Sequence, residues 1–600
     1  MILEKPTFGA NLHGCELHID DFNLSHYFYG DTLVVDCETD EREGFVGLGI
    51  TRDGKRIDYI TDLDDPVVRG ILEQANFIGH NLKSDLKWMI GWGLNIKSSQ
   101  LFYDTMLSSY VQNTTKDSQG LKDLAKEYLG LVWPSYKEIV GTGKKKITLD
   151  KQEVGRVAAY NSMDVLGTFK LYQHFTKTLS AQETKYLEEI ELPTARALLD
   201  MELRGVSVDV PYLRQLDTKF VKELNDLKAQ LKTITDTRQW SKLVQTKKEP
   251  KEFNANSGFH VAALLQTYGA VLPKTQKGRF KTDKFTLEKL VHLEPVKILQ
   301  RYGQIETLQT MFTSGLIEKQ KGGKIYCSFN QLTKDDDNLD VGISTGRLSS
   351  SGPNLQQIPQ RSTEGEMIRK SFVAGVDSLL VDGDFSQIEY RLLAHLTKEE
   401  VLLEAYRNNR DLHEETAKLI LAKTELTDTD RDLGKTLNFA TVYGSQAKNI
   451  SVKLKVSEQE AQKFLNTYFT KLPRVTAWIN RVKWEARQKK GVKTLMGRWI
   501  PLPHINSGNK WQRLHWERVA VNSTIQGSAA DINKLAIIAL SEAGFNLVIN
   551  CHDENLSSEK KEKAQQKADE MKSIMENIVK LDVPLQANVG IGINWGEAKK

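Results

Sequence analysis

Cysteine is scarce and scattered: Cys15, Cys37, Cys327 and Cys551 are the four in 600 residues, and no two form a CxxC pair. That spacing argues against a cysteine-based zinc site and against a disulfide framework, and it fits a reducing compartment. Long apolar runs are missing too. No stretch approaches the roughly 18 apolar residues of a membrane span, and Met1 to Cys15 carries acids, lysine and histidine where a leader would be apolar. The expectation is a soluble, cytoplasmic protein with no membrane partner. Nor is there an excess of one charge: Lys+Arg 82 against Asp+Glu 78 leaves +4, so any nucleic-acid surface must be local. No repeat or low-complexity tract is present. The length predicts roughly three to five domains or subdomains, each able to bury its own core.

What the chain does have is acids at the ends of apolar strands. LVINCHDE (547–554) stops a core-like run on a histidine and two acids, and a charge taken into low dielectric costs several kcal/mol, roughly, unless something pairs with it. Taken alone, the stretch also fits a strand reaching its polar turn. Periodicity predicts strands at 32–40, 45–51 and 56–61 and helices around 64–75, 82–92, 119–128 and 152–175, an α/β unit. From 176 to about 232 the pattern is long and helical, broken at Pro193 and at RGVSVD (204–209). Residues 233–252 read as a lysine-rich mobile tip and DDDNLD (335–340) as a solvated acidic loop. The last 290 residues or so are expected to alternate strands with helices.

Asp36 and Glu38 in LVVDCETD share a strand face, because strand side chains repeat every two residues. Asn81 and Asp85 stand four apart in GHNLKSDLKWM, as do Tyr160 and Asp164 in AAYNSMDVLGTF, which puts each pair on one helix face. Each segment alone fits surface acids. Together Asp36, Glu38, Asp85 and Asp164 would hold two divalent cations about 3.5–4 Å apart, an arrangement suited to phosphodiester hydrolysis, with Tyr160 orienting the attacking water.

LLVDGDFSQIEYRLLAHL (379–396) repeats the theme with Asp384 at the end of a strand. If Asp384 and Asp553 come from neighbouring strands, they would hold two Mg2+ between them, completed by nucleoside triphosphate oxygens. In TDTDRDLGKTLNFATVYG (427–444), Arg431, Lys435, Phe439 and Tyr443 form one stripe at four-residue steps. Like charges at that spacing disfavour a helix by roughly 0.2–0.5 kcal/mol unless an anion bridges them. A triphosphate would be that anion, although the helix alone also fits an ordinary solvated basic edge. TGRLSSSGPNLQQIPQR (345–361) is a loop able to approach a backbone closely. ERVAVNSTIQGSAADINK (517–534) spaces Arg518, Asn522 and Gln526 by four, as donors to minor-groove acceptors would be. Either segment alone fits loop packing or helix capping.

The DxE, NxxxD and YxxxD segments, in that order, resemble a proofreading 3′-5′ exonuclease domain of the tyrosine-bearing subclass. DFSQIE (384–389), RDLGKTLNFATVYG (431–444) and HDE (552–554) resemble motifs A, B and C of the family A DNA polymerases. TGRLSS, PNLQQIP, RDLHEETA (410–417), TLMGRWIPLP (494–503), QGSAAD and GINWGEA (592–598) match that family as well, as in the large fragment of bacterial DNA polymerase I. The resemblance implies a multidomain α/β chain. An RNase H-like exonuclease domain (1–175) would precede a right-hand polymerase domain (176–600), with thumb about 205–310, palm about 176–204, 311–390 and 513–600, and fingers about 391–512. It implies two Mg2+ per active site, with Mn2+ able to substitute, and Phe385 lending a backbone carbonyl to the metal. Primer-template DNA and deoxynucleoside triphosphates are the implied partners of a monomeric catalytic subunit. Glu389 is implied to exclude a ribose 2′-hydroxyl, His413 to contact phosphate, Gln387 to join the nucleotide site, and Phe439 to select against dideoxynucleotides. Arg347 and Gln526 would track the minor groove, with His552 and Arg361 also against DNA.

Departures are NLSSE (555–559) where an apolar strand is usual, Ala440 where glycine is common, and the long acidic insertion before TGRLSS. The first suggests a loosely packed hairpin arm. With no 5′-nuclease segment before residue 1, a phage-type replicative enzyme is the expected origin. Three other readings stand against synthesis with proofreading: a repair nuclease whose polymerase half only grips DNA, a single-subunit RNA polymerase, and a non-enzymatic DNA-binding factor. Glu389 and the exonuclease acids oppose the RNA polymerase. The last is opposed because six clustered acids repel one another without metal.

Overall fold

Leu33, Val34 and Val35 are all buried, as expected of a strand covered on both faces rather than one. This strand, β2 (Thr32–Thr39), lies inside a six-stranded sheet with β1 (Glu16–Ile19), β3 (Phe45–Thr51), β4 (Arg56–Ile60), β5 (Asn76–Gly79) and β6 (Leu101–Asp104). The order is β1-β4-β3-β2-β5-β6. Strand β3 runs antiparallel to both neighbours, and β2, β5 and β6 run parallel. The 25-residue helix Val154–Thr178 packs across β2, β3 and β4. The computed structural model describes residues 15–599 except 23–25, 41–43, 144–145, 245–249, 251, 276, 333–344 and 361, with the backbone alone at 441–443. DDDNLD and Arg361 therefore lie outside the described residues.

The expected break at Pro193 does not occur. Helix Ala181–Tyr186 continues through a π-turn at Leu187–Glu191 into helix Leu192–Arg204. Pro193 occupies the first turn of that last helix, where its missing N–H has no partner to lose, and the wide turn before it relieves the ring. The chain does turn after Arg204, at Gly205 (φ +61°), into the strand Val206–Val208. Of the lysine-rich tip, residues 233–244 are part of the fold, while 245–249 and 251 lie outside the described residues. Helix Val210–Asp236 runs into it, and Trp240 is buried with Ala263 and Leu264.

A second sheet is antiparallel throughout, in the order Leu547–Cys551, Glu554–Lys560, Ser378–Phe385, Ala587–Gly592. Here the hairpin arm NLSSE is central and buried, which corrects the expectation of loose packing. Asn555 is fully buried between Asn550, whose Nδ2 donates to it at 3.0 Å, and Asn533, whose Oδ1 accepts from it at 3.0 Å. Glu559 accepts from the Asn546 N–H at 2.8 Å. Buried polar groups that satisfy one another can occupy a strand as stably as apolar ones. The expected alternation of strands with helices also fails over the middle of this half. From Ile388 to Glu542 the described chain is helical apart from the short hairpin Gly491–Lys493 with Trp499–Pro501.

Two hydrophobic clusters hold the two sheets. One runs from Leu17 to Leu199 and the other from Ala197 to Ala598, so they hand over within helix Leu192–Arg204. In the first, Gly47 and Gly49 of β3 lie opposite Glu38 and Asp36. A Cβ on Gly49 would stand 1.8 Å from Asn161 Oδ1, so only a bare backbone lets that helix side chain reach the sheet. Gly49→Ala is expected to cost about 1–3 kcal/mol in this half of the molecule. It should lower the temperature of the calorimetric transition in which this half of the molecule unfolds.

Candidate active sites

Strand β2 delivers Asp36 and Glu38, and helix Val154–Thr178 brings Tyr160, Asn161 and Asp164 over them. Asp36, Glu38 and Asp164 each offer an oxygen within 4.8 Å of the others, a group able to hold a metal ion. Asn161 Nδ2 donates to Asp36 Oδ2 at 2.7 Å and lies 3.4 Å from Glu38 Oε1. Asp85, the fourth expected acid, is not in that group of three. Its Oδ1 accepts the Cys37 N–H at 3.1 Å, between the two acids of β2, and its charge still acts on both Asp36 and Glu38. Asn81 does not share its helix face either, being the left-handed N-cap (φ +63°) of helix Leu82–Gly91. The buried Asp104 fixes that corner, accepting from Asn81 and Leu82 N–H on one side and from Met106 and Leu107 N–H on the other.

Burial, then repulsion among neighbouring acids, drives these carboxyls upward. Asp36 lies well above its usual range, while Glu38 is pushed up to about 8 and Asp85 to about 7, burial being the largest cause in each. Asp164 is raised less freely, because Lys122 Nζ at 2.6 Å and Trp133 Nε1 at 2.7 Å both donate to its Oδ1.

In the second sheet, Asp384 ends the strand Ser378–Phe385, and Asp553 stands in the turn between Cys551 and Glu554, beside it. The Phe385 N–H donates to the Asp553 carbonyl at 3.3 Å. His552 takes a left-handed φ of +61° in this two-residue turn, the first turn position where hairpins usually place glycine. Burial and the nearby Asp384 push Asp553 up to about 7. Behind the pair lies a second layer that sequence reading missed. Glu554, 1% exposed, accepts from Trp595 Nε1 at 2.5 Å and pairs with Lys599, whose ammonium is also 3.6 Å from Asp384. Asp382, buried next to Glu554, is raised well above its usual range by burial and then by that neighbour's charge. The DGD spacing carried a signal for Asp382, since residues 382 and 384 share a strand face.

The basic stripe lies on helix Asp428–Tyr443. Arg431 is held by Asp411, Nη2–Oδ2 2.7 Å and Nε–Oδ2 3.1 Å, so a protein carboxylate already supplies its anion. Lys435 is partly exposed, and the Tyr443 side chain lies outside the described residues. Phe439 stacks on His413 at 6.4 Å and meets Tyr390 edge-on at 5.4 Å. His413 is 4% exposed, and Asn438 Nδ2 sits 3.1 Å from its Nδ1. The ring is thereby fixed against Phe439 and Asn438 of that helix. Gln387 accepts from Tyr406 Oη at 2.9 Å, and Glu389 forms an ion pair with Arg347. On helix Lys510–Glu542, Gln526 is buried and Asn522 Oδ1 is buried without a hydrogen-bond partner among the described residues. Arg518 packs against Gly444.

A sequence model described as DNA polymerase family A matches residues 212–597, which hold the acids of the second site and stop just short of Lys599. The chain belongs to DNA polymerase family A. A second model, 3′-5′ exonuclease, matches residues 56–180, taking in Asp85, Tyr160 and Asp164 and beginning after Asp36 and Glu38. DNA polymerase I of Pseudomonas aeruginosa is 32% identical over 544 residues, covering 87% of this family A chain and 56% of the relative. The thermostable DNA polymerase I of Thermus aquaticus is 35% identical over 425 residues, covering 69% and 48%. The chain thus spans about half the length of the curated relatives it matches. Among solved structures it is similar to the POL domain of Pol1 from M. smegmatis in complex with DNA primer-template and dNTP. The TM-score is 0.81 at 26% identity, covering 96% of this chain and 98% of that one. The architecture is an exonuclease domain followed by a family A polymerase domain.

Raised carboxyls hold protons in the folded state that the unfolded chain has already lost. In chelator, stability of the exonuclease half should therefore fall as pH rises from the ordinary carboxylate range to about 8, where Glu38 has ionised. Divalent cation should reverse the loss, and its half-saturating concentration should drop across the same window as protons leave Glu38 and Asp85. Thermal scans from about pH 5 to about pH 9, with EDTA and with Mg2+, check both trends.

Proposed function

We propose that this family A chain extends a primer 3′-hydroxyl on a DNA template and removes nucleotides from the same 3′ end at a separate site. The observation that carries the reading is that the chain gathers carboxylates twice, at the ends of strands in two different sheets, each set raised by burial. The similar M. smegmatis structure holds primer-template DNA and dNTP, which supports those two as the substrates.

Both sets fit Mg2+ or Mn2+: Asp36, Glu38 and Asp164 converge, and Asp384 and Asp553 stand close enough for one charge to raise the other carboxyl. Bound divalent cations would stabilise the attacking and leaving oxygens of phosphoryl transfer. The residues do the rest. In synthesis Arg431 and Lys435 bind the triphosphate, Arg431 exchanging Asp411 for phosphate oxygens. Phe439 lies against the sugar and Glu389 stands over its 2′ position. Gln526, Asn522 and Arg518 face the minor groove, and Arg347 leaves Glu389 to join them. The primer 3′ hydroxyl loses its proton to solvent and its oxygen bonds to the α-phosphorus as the bond from that phosphorus to the pyrophosphate oxygen breaks. In hydrolysis a water oxygen bonds to the terminal phosphorus as the P–O3′ bond breaks. One water proton ends on the departing 3′ oxygen and the other is lost to solvent from the new 5′-phosphate. In this reading residues about 205–310 are the thumb, about 391–512 the fingers, and the remaining parts of about 176–600 the palm.

The repair-nuclease alternative draws its support from NLSSE, and the buried, hydrogen-bonded strand removes that support. A labelled primer on a longer template, incubated with Mg2+ with and without the four dNTPs, tests the reading. Extension with nucleotides and shortening without them are expected. Asp553→Ala should lower extension by about 100-fold or more and leave shortening intact, and Asp36→Ala with Glu38→Ala should do the reverse. Extension that survives Asp553→Ala would overturn the assignment.

A further inference from the structure

One cation stands inside the first acid cluster, and nothing in the family motifs announces it. Lys122 opens the helix Leu121–Leu129, which packs on Val154–Thr178. Its Nζ is 2.6 Å from Asp164 Oδ1 and 3.3 Å from Tyr160 Oη. It also lies over two aromatic faces, 4.4 Å from the Tyr160 ring centre and 5.0 Å from that of Trp133. Trp133 Nε1 donates to the same Asp164 oxygen at 2.7 Å. A lysine that only dressed the surface would not be held from four sides.

The chemistry of the donors fixes a direction. An ammonium has three protons to give and no lone pair, so at 3.3 Å the Tyr160 oxygen can only accept from it. The single phenolic proton is then left for Asp164, to which Tyr160 is also hydrogen-bonded. Asp164 is thus held by three donors, Lys122, Trp133 and Tyr160, so its carboxylate plane is set before any ligand arrives.

We propose that Lys122 is a positioning residue of the nuclease site. It fixes the Tyr160 oxygen and the Asp164 carboxylate against each other, and so holds Asp164 for the cation that this acid shares with Asp36 and Glu38. This rests on the nuclease reading above, in which Tyr160 orients the water. Lys122 itself neither gives nor takes a proton in the reaction.

The experiment is hydrolysis of a 5′-labelled single-stranded oligonucleotide by the full chain, at saturating Mg2+, for wild type, Lys122→Met, Lys122→Arg, Tyr160→Phe and the Lys122→Met/Tyr160→Phe double variant. Primer extension by the same preparations reports that each is folded. Lys122→Met is expected to lower kcat by about 10- to 100-fold with KM within about twofold, and Lys122→Arg to recover much of the loss. The double variant should lose little more than the worse single one, because both act through one carboxylate, that of Asp164. Three results would each overturn the proposal. In the first, wild type hydrolyses and Lys122→Met keeps its kcat. In the second, Lys122→Met merely raises the Mg2+ requirement, with full kcat at saturation, the mark of charge balance alone. In the third, the two losses multiply. A wild type that hydrolyses nothing would instead fell the nuclease reading, and this inference with it.

Discussion

Repulsion between carboxylates is the constraint around which this molecule is built. Acids crowded into low dielectric raise one another's proton affinity, and the protein must either bind cations or supply them. It does the second in part at both sites, with Lys122 against Asp164 and Lys599 between Glu554 and Asp384. Each lysine is far along the chain from the acid it serves, and each reaches the cluster from its edge. The strands that deliver the acids can stay apolar up to the last residue because compensation arrives from elsewhere.

The same rule governs the contact between the two hydrophobic clusters, the first of which takes in Tyr186 and the π-turn. Tyr186 Oη donates to Asp531 at 2.7 Å, and Asp531 also accepts from Arg498 Nε at 3.0 Å. One helical turn along, Lys534 Nζ lies 2.6 Å from Glu191 in the π-turn, whose other oxygen accepts from Gln331 at 2.6 Å. A third contact joins Lys83 and Lys87 to Glu202, which also accepts the Phe329 N–H at 2.7 Å. Arg498, Asp531, Lys534 and Glu191 are almost wholly buried. Pairs so buried add little net stability but are costly to break singly, so they specify geometry more than they strengthen it.

Strands β2, β3 and β4 and helices Pro66–Leu72, Leu82–Gly91, Leu121–Leu129 and Val154–Thr178 were legible in the sequence, because apolar periodicity there follows the elements closely. The four-residue strands β1, β5 and β6 and helices Thr105–Gln112 and Tyr136–Val140 are too short to show a period and were not read. The acids at strand ends were legible for the same reason: polarity changes abruptly where a buried strand stops. Lys122 was not, since a lysine at the start of an amphipathic helix reads as solvated, and only folding brings it across 42 residues to Asp164. NLSSE misled because hydropathy counts apolar side chains, and the amide pairs of Asn533, Asn550 and Asn555 are invisible until the strands are in register. Glu554 was visible as part of HDE, but its buried partners Trp595 and Lys599 come from a different part of the chain.

Helix Lys510–Glu542 is 33 residues long, which at 1.5 Å per residue makes it about 50 Å. It carries Gln526 toward one function and, within three turns, Asp531 and Lys534 into the grip of the other half. A single rod thus gives both catalytic centres one frame of reference. Hinging one half on the other would tear ion pairs out of a dry interior, so the two centres keep a fixed separation.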